Sequence, residues 1–197
     1  MKKTILSLIA ALGLATGAQA ATYQGLVSGS ATPTDFSTDG LISFDLDFAA
    51  LGTTTLRYTI GAGDLASLSF NAVLRNFTDE GLSSYLISLS TGSFLPVGTV
   101  TPQFGTLDGI AWQDGNATIS FGALEFLDTM VGDPLTAGGG KIDWALTGFN
   151  VGDTLEISVS AVPEPETYAM LLAGLGALFA ARRRQQRRQA SSPGHAP

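Results

Sequence analysis

The sequence predicts an all-β fold: a single antiparallel β-sandwich, jelly-roll-like, flanked by an N-terminal signal peptide and a short C-terminal transmembrane helix. Three observations lead there. Apolar and polar residues alternate with period two in run after run, the pattern of strands packed on one face. Gly, Asn, Asp and Pro separate the runs, as connections between short strands require. The stretch between the two ends is long enough for one domain and contains no cysteine, so its own apolar core must hold it together.

Taken in order, Lys2 and Lys3 form a basic start, Ile5 to Ala15 an apolar segment, and Ala18-Gln19-Ala20 a small-residue cleavage site. Residues 1–20 therefore read as a secretory signal peptide, cut by signal peptidase after Ala20 so that the mature chain begins at Ala21. Residues 21–161 form the exported domain. Ile42, Phe44, Leu46 and Phe48 alternate with Ser43, Asp45 and Asp47, and Leu56, Tyr58 and Ile60 with Thr55, Arg57 and Thr59. The pattern returns at Leu68 to Leu74, Tyr85 to Leu89, Ile119 to Ala123, Ile142 to Leu146 and Leu155 to Val159. Seven or more short strands in one domain favour a sandwich. Gly61-Ala62-Gly63-Asp64 and Asp114-Gly115-Asn116 read as hairpin turns. The segment 122–132 fits a helix as well as a strand, through Ala123, Phe126, Leu127 and Met130, and both readings stay open.

The net charge of −7 conceals a sharper division, because seven of the ten basic residues lie at the two ends. Between them only Arg57, Arg75 and Lys141 oppose the carboxylates. Such an acidic domain repels nucleic acid, whose phosphates need clustered Lys and Arg, and favours cations instead. Asp35-Phe36-Ser37-Thr38-Asp39-Gly40 places oxygen ligands at alternate positions before a glycine, like the first half of an EF-hand calcium loop. Leu46 stands where the bidentate Glu belongs, so Asp45 or Asp47 would have to complete the set. Asp35, Ser37, Asp39, Asp45 and Asp47 are thus candidate Ca2+ ligands, against the plainer reading of a polar turn and a solvated strand face. No other cofactor is expected.

Two glycine motifs are rejected on context. Gly61 to Ala66 spells G-x-G-x-x-A, yet a strand pattern rather than a helix follows. Gly138-Gly139-Gly140-Lys141 lacks both the first phosphate-loop glycine, replaced by Leu135, and the metal-binding hydroxyl, replaced by Ile142. No enzyme is expected. His195, the one histidine, lies in the tail, so the domain has no imidazole for a triad or for zinc, and nothing singles out an acid and a base among Glu80, Glu125 and Glu156. Trp112 and Tyr85 could stack on sugars, but with Trp144 and Tyr58 they default to core packing. Asn76-Phe77-Thr78 and Asn116-Ala117-Thr118 match the N-glycosylation pattern, to which no role is assigned.

At the C-terminus, Val162-Pro163-Glu164-Pro165 precedes the uncharged run Thr167 to Ala181 and then Arg182, Arg183, Arg184, Arg187 and Arg188. The prolines force extended backbone and should end both strand and helix, leaving an exposed handle. The apolar run would reach only about 22 Å as a helix against a hydrocarbon core of about 30 Å, a weak permanent anchor. The arginines would stay on the cytoplasmic side. These residues, over 162–188, resemble the PEP-CTERM sorting signal of Gram-negative bacteria. The resemblance implies recognition of Pro163, Glu164 and Pro165 by an exosortase, a membrane-embedded cysteine transpeptidase. It also implies transient anchoring in the inner membrane, removal of the span, and arrival at the cell surface or extracellular matrix, typically in exopolysaccharide and biofilm producers. Residues 189–197 are a polar tail expected to be disordered. The expected function is a structural or exopolysaccharide-associated surface component, with a lectin-like carbohydrate-binding module, Ca2+-stabilised, as the alternative.

Overall fold

Alternation becomes strand at every run it marked, and strands also form where alternation is weak. The computed structural model describes residues 21–65, 68–164, 170–179 and 182–183. Among them are thirteen strands, in two sheets. The first sheet contains β1 (Thr22–Ser28), β4 (Gly52–Thr59), β13 (Thr154–Pro163), β6 (Leu82–Leu89), β10 (Asn116–Glu125) and β9 (Thr106–Gln113), in that spatial order. The second runs β2 (Thr32–Asp35), β3 (Leu41–Phe48), β5 (Leu68–Asn76), β11 (Asp128–Val131) and β8 (Val100–Pro102). Two further strands extend it: β12 (Trp144–Thr147) pairs with β5 beside β11, and β7 (Ser93–Phe94) pairs with β12. The segment 122–132, open between helix and strand, is the end of β10 and all of β11.

The first sheet is antiparallel throughout, but β3 and β5 pair in parallel from Leu41↔Ser69 to Phe48↔Asn76. The connectivity explains this. After β3 the chain crosses to the other sheet for β4 and returns for β5, which therefore runs in the original direction. The second sheet is mixed, correcting the all-antiparallel expectation, and its strand order does not establish the expected jelly roll. The Gly61 turn is likewise a sheet-to-sheet crossover rather than a hairpin. A 3-10 turn, Ala62–Asp64, makes it, and the buried Asp64 carboxylate accepts from Gly61 N at 2.8 Å and Gly40 N at 3.3 Å. Asp114-Gly115 does form a hairpin turn, between β9 and β10, with Asp114 at φ 53°.

Both sheets contribute to one core. Trp144 is fully buried, edge-on to Phe70 at 6.0 Å and to Phe94 at 5.4 Å, and its indole N–H donates to Thr99 O at 3.2 Å. Phe48 of the second sheet meets Tyr85 of the first at 5.8 Å. Tyr58 and Tyr85 point inward as expected. At the C-terminus residues 170–179 and 182–183 are helical, the former reaching about 15 Å. No described helix is long and apolar enough to cross a membrane, so the expected transmembrane helix has no counterpart among the described residues.

Burial pushes both core phenols well above their ordinary value of 10.0, helped at Tyr58 by Asp35 and at Tyr85 by Glu125. The folded state keeps each proton and the unfolded state releases it near 10.0, so this stabilisation is complete below that pH and is lost as pH rises past it. An alkaline titration followed by phenolate absorbance and far-UV circular dichroism is expected to show these two phenols ionising only together with loss of the sheet signal. Their ionisation near pH 10.0 with the sheets intact would contradict this burial.

Candidate functional site

The sorting residues begin inside the sheet. Apolar Leu155, Ile157, Val159 and Ala161 drive β13 into the core between β4 and β6. Val162 and Pro163 are its last two residues, paired with Ser84 and Leu82 of β6 across a register irregularity. Pairing with β4 ends earlier, at Ala161↔Gly52, so β13 is one-sided at Pro163 and tolerates a residue without an N–H. The Ser83 hydroxyl reaches the carbonyls of Val162 and Pro163 at 3.2 and 3.1 Å. The backbone is extended, as the prolines dictate, but strand continues through Pro163, which is buried. That corrects the expectation of a fully exposed handle: Val162 is exposed, Pro163 buried and Glu164 half-buried. Arg182 and Arg183 are helical and exposed. Ala18, Ala20, Pro165, Arg184, Arg187, Arg188 and the tail 189–197 lie outside the described residues, and Ala21 is buried at the start of the domain.

Around this exit one end of the domain is built on a buried carboxylate. Leu82 pairs with Pro163 on one side and with Glu125 on the other. The Glu125 side chain is fully buried and accepts from the backbone N–H groups of Phe104 (3.0 Å), Gly105 (2.9 Å) and Leu127 (2.7 Å). It thereby fixes two loops at once, and their rings, Phe104 and Phe126, pack edge to face at 5.6 Å. A third loop is held by Asn76, whose amide donates to Glu80 O at 2.7 Å and accepts from Thr78 N and Oγ1. The Asn-Phe-Thr sequence is therefore a turn-forming hydrogen bond. The sequence offered Glu125 only as one of three carboxylates available for catalysis, with no role singled out. The available signal was its period-two spacing from buried Ile119 and Phe121, although Ala123, between Phe121 and Glu125, is exposed where the β10–β6 register shifts.

The candidate Ca2+ ligands divide between two faces. Asp35 lies opposite inward-facing Phe44 and accepts from Ser37 Oγ at 2.7 Å and Tyr58 OH at 3.1 Å. Asp45 and Asp47 project from the other face of β3, where Arg75 bonds them at 2.5 and 2.9 Å and approaches Asp128 at 3.7 Å. Partial burial raises the Asp128 carboxyl above the usual range, Arg75 opposes this, and Asp47, Glu125 and Asp45 reinforce it. Asp39 sits in the exposed turn. Strand geometry thus keeps the five residues from converging, and no group of three or more acidic, His or Cys side chains among the described residues is arranged to hold a metal.

Of the three glutamates, Glu156 is bonded by Arg57 on the outer face of the first sheet and Glu80 stands in the exposed turn after Asn76. That outer face is mostly small hydroxyls. Thr53 and Ser160 hydrogen-bond at 2.6 Å, Thr55 and Ser158 at 2.9 Å, and Ser88 donates to Asn116 at 2.9 Å. Of the four aromatics considered for stacking, Tyr58, Tyr85 and Trp144 are in the core and Trp112 is half exposed, beside a shallow depression lined by Ala111, Gln113, Asn116 and Thr118.

Replacing Glu125 with Gln substitutes an N–H2 for one acceptor oxygen and leaves at least one buried backbone donor unmatched. Glu125→Gln is expected to cost about 2–4 kcal/mol in denaturant unfolding and to speed amide exchange at Phe104, Gly105 and Leu127. Unchanged stability and exchange would show that the carboxylate does not organise these loops.

A family model described as the PEP-CTERM protein-sorting motif matches residues 161–187, from the end of β13 through the apolar run to the arginines. No curated protein and no solved structure matches the chain. The motif is one recognised by exosortase and marks export with membrane-associated sorting at the C-terminus. The chain therefore carries a PEP-CTERM protein-sorting motif, which begins in the last strand of a two-sheet β domain.

Proposed function

We propose that this protein is a non-enzymatic component of the cell surface or extracellular matrix, exported behind residues 1–20 and released from the inner membrane by an exosortase. Its apolar segment spans the membrane briefly, with the arginines on the cytoplasmic side. The observation that carries this reading is the placement of the motif: every described strand precedes Glu164, so a cut beyond Pro163 separates the apolar helix from the two-sheet domain. An outer face of Thr and Ser hydroxyls, without aromatic rings among the described residues of its central rows, fits a structural or matrix-associated role better than a lectin site. Exopolysaccharide is the partner such a face would meet. The second reading, a carbohydrate-binding module, is favoured by Trp112 alone; Trp112→Ala would abolish polysaccharide retention if that reading holds and leave it unchanged otherwise.

Intact mass and cell fractionation in the native host, with and without the sorting enzyme, test the main reading. Replacing Glu164 and Pro165 with Ala, which leaves β13 untouched, is expected to hold the full-length protein in the inner membrane. Normal release of that variant would sink the reading. Ser83→Ala removes the hydroxyl that holds the last two carbonyls of β13. Losing about 1 kcal/mol of hydrogen bonding is expected to speed processing several-fold in a pulse-chase, and an unchanged rate would mean that the strand end need not open.

A further inference from the structure

We propose that the end of the domain carrying Phe77, Phe104, Phe126 and Leu127 is a lipid-docking surface. It rests on the uncharged interface of the membrane that holds the C-terminal segment. This builds on the reading above that the apolar segment enters a bilayer.

The four side chains are exposed to 59%, 63%, 39% and 45% respectively, although the loops that bear them are firmly held. Glu125 pins the Phe104 and Leu127 backbones, Asn76 pins the turn after Phe77, and Phe126 covers Gly81 so closely that a Cβ there would lie 2.6 Å from its ring. A clustered, ordered and exposed apolar surface on a soluble domain marks a contact with protein or membrane. Its place in the chain selects the membrane. Pro163, Leu82 and Glu125 lie side by side on β13, β6 and β10, so at a strand spacing of about 4.8 Å the chain leaves the domain about 10 Å from the strand that mounts the rings. From Glu164 to the first described helical residue, Met170, there are six Cα steps, at most about 22 Å of chain. The apolar segment thus tethers this end, rather than the Asp114-Gly115 end of the hairpin, to the lipid surface. Phenyl rings and leucine bury themselves well at the acyl boundary. Asp79 and Glu80 follow Phe77 in its exposed turn, Glu164 follows Pro163, and the nearby cation Arg75 is taken up by Asp45, Asp47 and Asp128, so the lipid the patch suits is zwitterionic rather than anionic. Docked in this way, the domain holds Glu164 at the interface, where a membrane-embedded enzyme can reach it.

The test uses the mature chain, residues 21–197, reconstituted into phosphatidylcholine vesicles, with Phe104→Trp as reporter and acyl-chain-brominated lipid as quencher. The position is exposed, so the variant is expected to fold. Quenching of the added emission is expected, with that of buried Trp144 and of Trp112 at the other end of β9 preserved. Flotation with the vesicles but no quenching would overturn docking and leave the membrane reading in place. A blue shift without quenching would likewise overturn it, showing that the chain's own helix covers the patch. Failure to float would remove the membrane reading and docking together. Exchanging part of the lipid for anionic phosphatidylglycerol is expected to reduce the quenching, whereas stronger quenching would overturn the assignment to zwitterionic lipid.

Discussion

The last strand sits in the middle of the first sheet, and the rest of the molecule depends on that placement. β13 pairs with β4 along eight residues and with β6 along seven, so without it β1–β4 and β6–β10–β9 would be separate pieces. Leu155, Ile157 and Val159 are fully buried, and each burial is worth about 1.5–3 kcal/mol before the entropy of ordering is subtracted. The domain is therefore complete only when the chain has been delivered through Pro163. Any processing step must respect the same limit, since a cut a few residues upstream would remove the strand that joins the two halves.

The two outer faces handle polarity differently. On the first sheet, hydroxyls satisfy one another in cross-strand pairs, leaving a surface with little net charge apart from the Arg57–Glu156 pair. On the second, Arg75 gathers Asp45, Asp47 and Asp128, so three carboxylates share one guanidinium. An exposed pair such as Arg57–Glu156 contributes about 0–1 kcal/mol, whereas the Arg75 cluster is half-buried. The cluster's more definite effect is to bring repelling carboxylates on two strands, β3 and β11, under one donor on β5. The sequence showed Asp45 and Asp47 as a pair on one face, but only the parallel β3/β5 register places Arg75 beside Asp47. That long-range partner accounts for the two carboxylates standing side by side on this face.

Legibility followed burial. Strands with one face in the core, such as β3, β5 and β13, announced themselves through alternation. The edge strands β1 and β9 did not, because they bury so little that nothing selects apolar residues at every second position. The topology was legible only in part: alternation tells which residues face inward but not which sheet receives them, so the crossover through β4 and the parallel pair could not be read. Ile142 illustrates the opposite error, an apolar residue continuing the Trp144 and Leu146 pattern yet exposed just outside β12. In the site, the C-terminal motif was plain because its information is a run of side chains, whereas Glu125 and Ser83 act through backbone groups mostly far away in sequence and Asn76 through those of its own turn, and backbone partners leave no mark on side-chain composition.

Pro163 reconciles a rigid domain with a segment that must be processed. Upstream, β13 is clamped on both sides and its side chains are in the core. From Val162 onward only β6 holds it, through an irregular register and a serine hydroxyl. Two residues can therefore detach without exposing Leu155, Ile157 or Val159, because local opening costs only the contacts broken and these are few. Proline at this point removes an N–H that would otherwise lengthen the ladder, and it restricts the preceding residue to extended backbone, so the segment that detaches already has the shape of a strand. The same residue that ends the sheet thus preserves an extended chain beyond it, and the boundary between stable domain and sorting signal is set within a single residue pair.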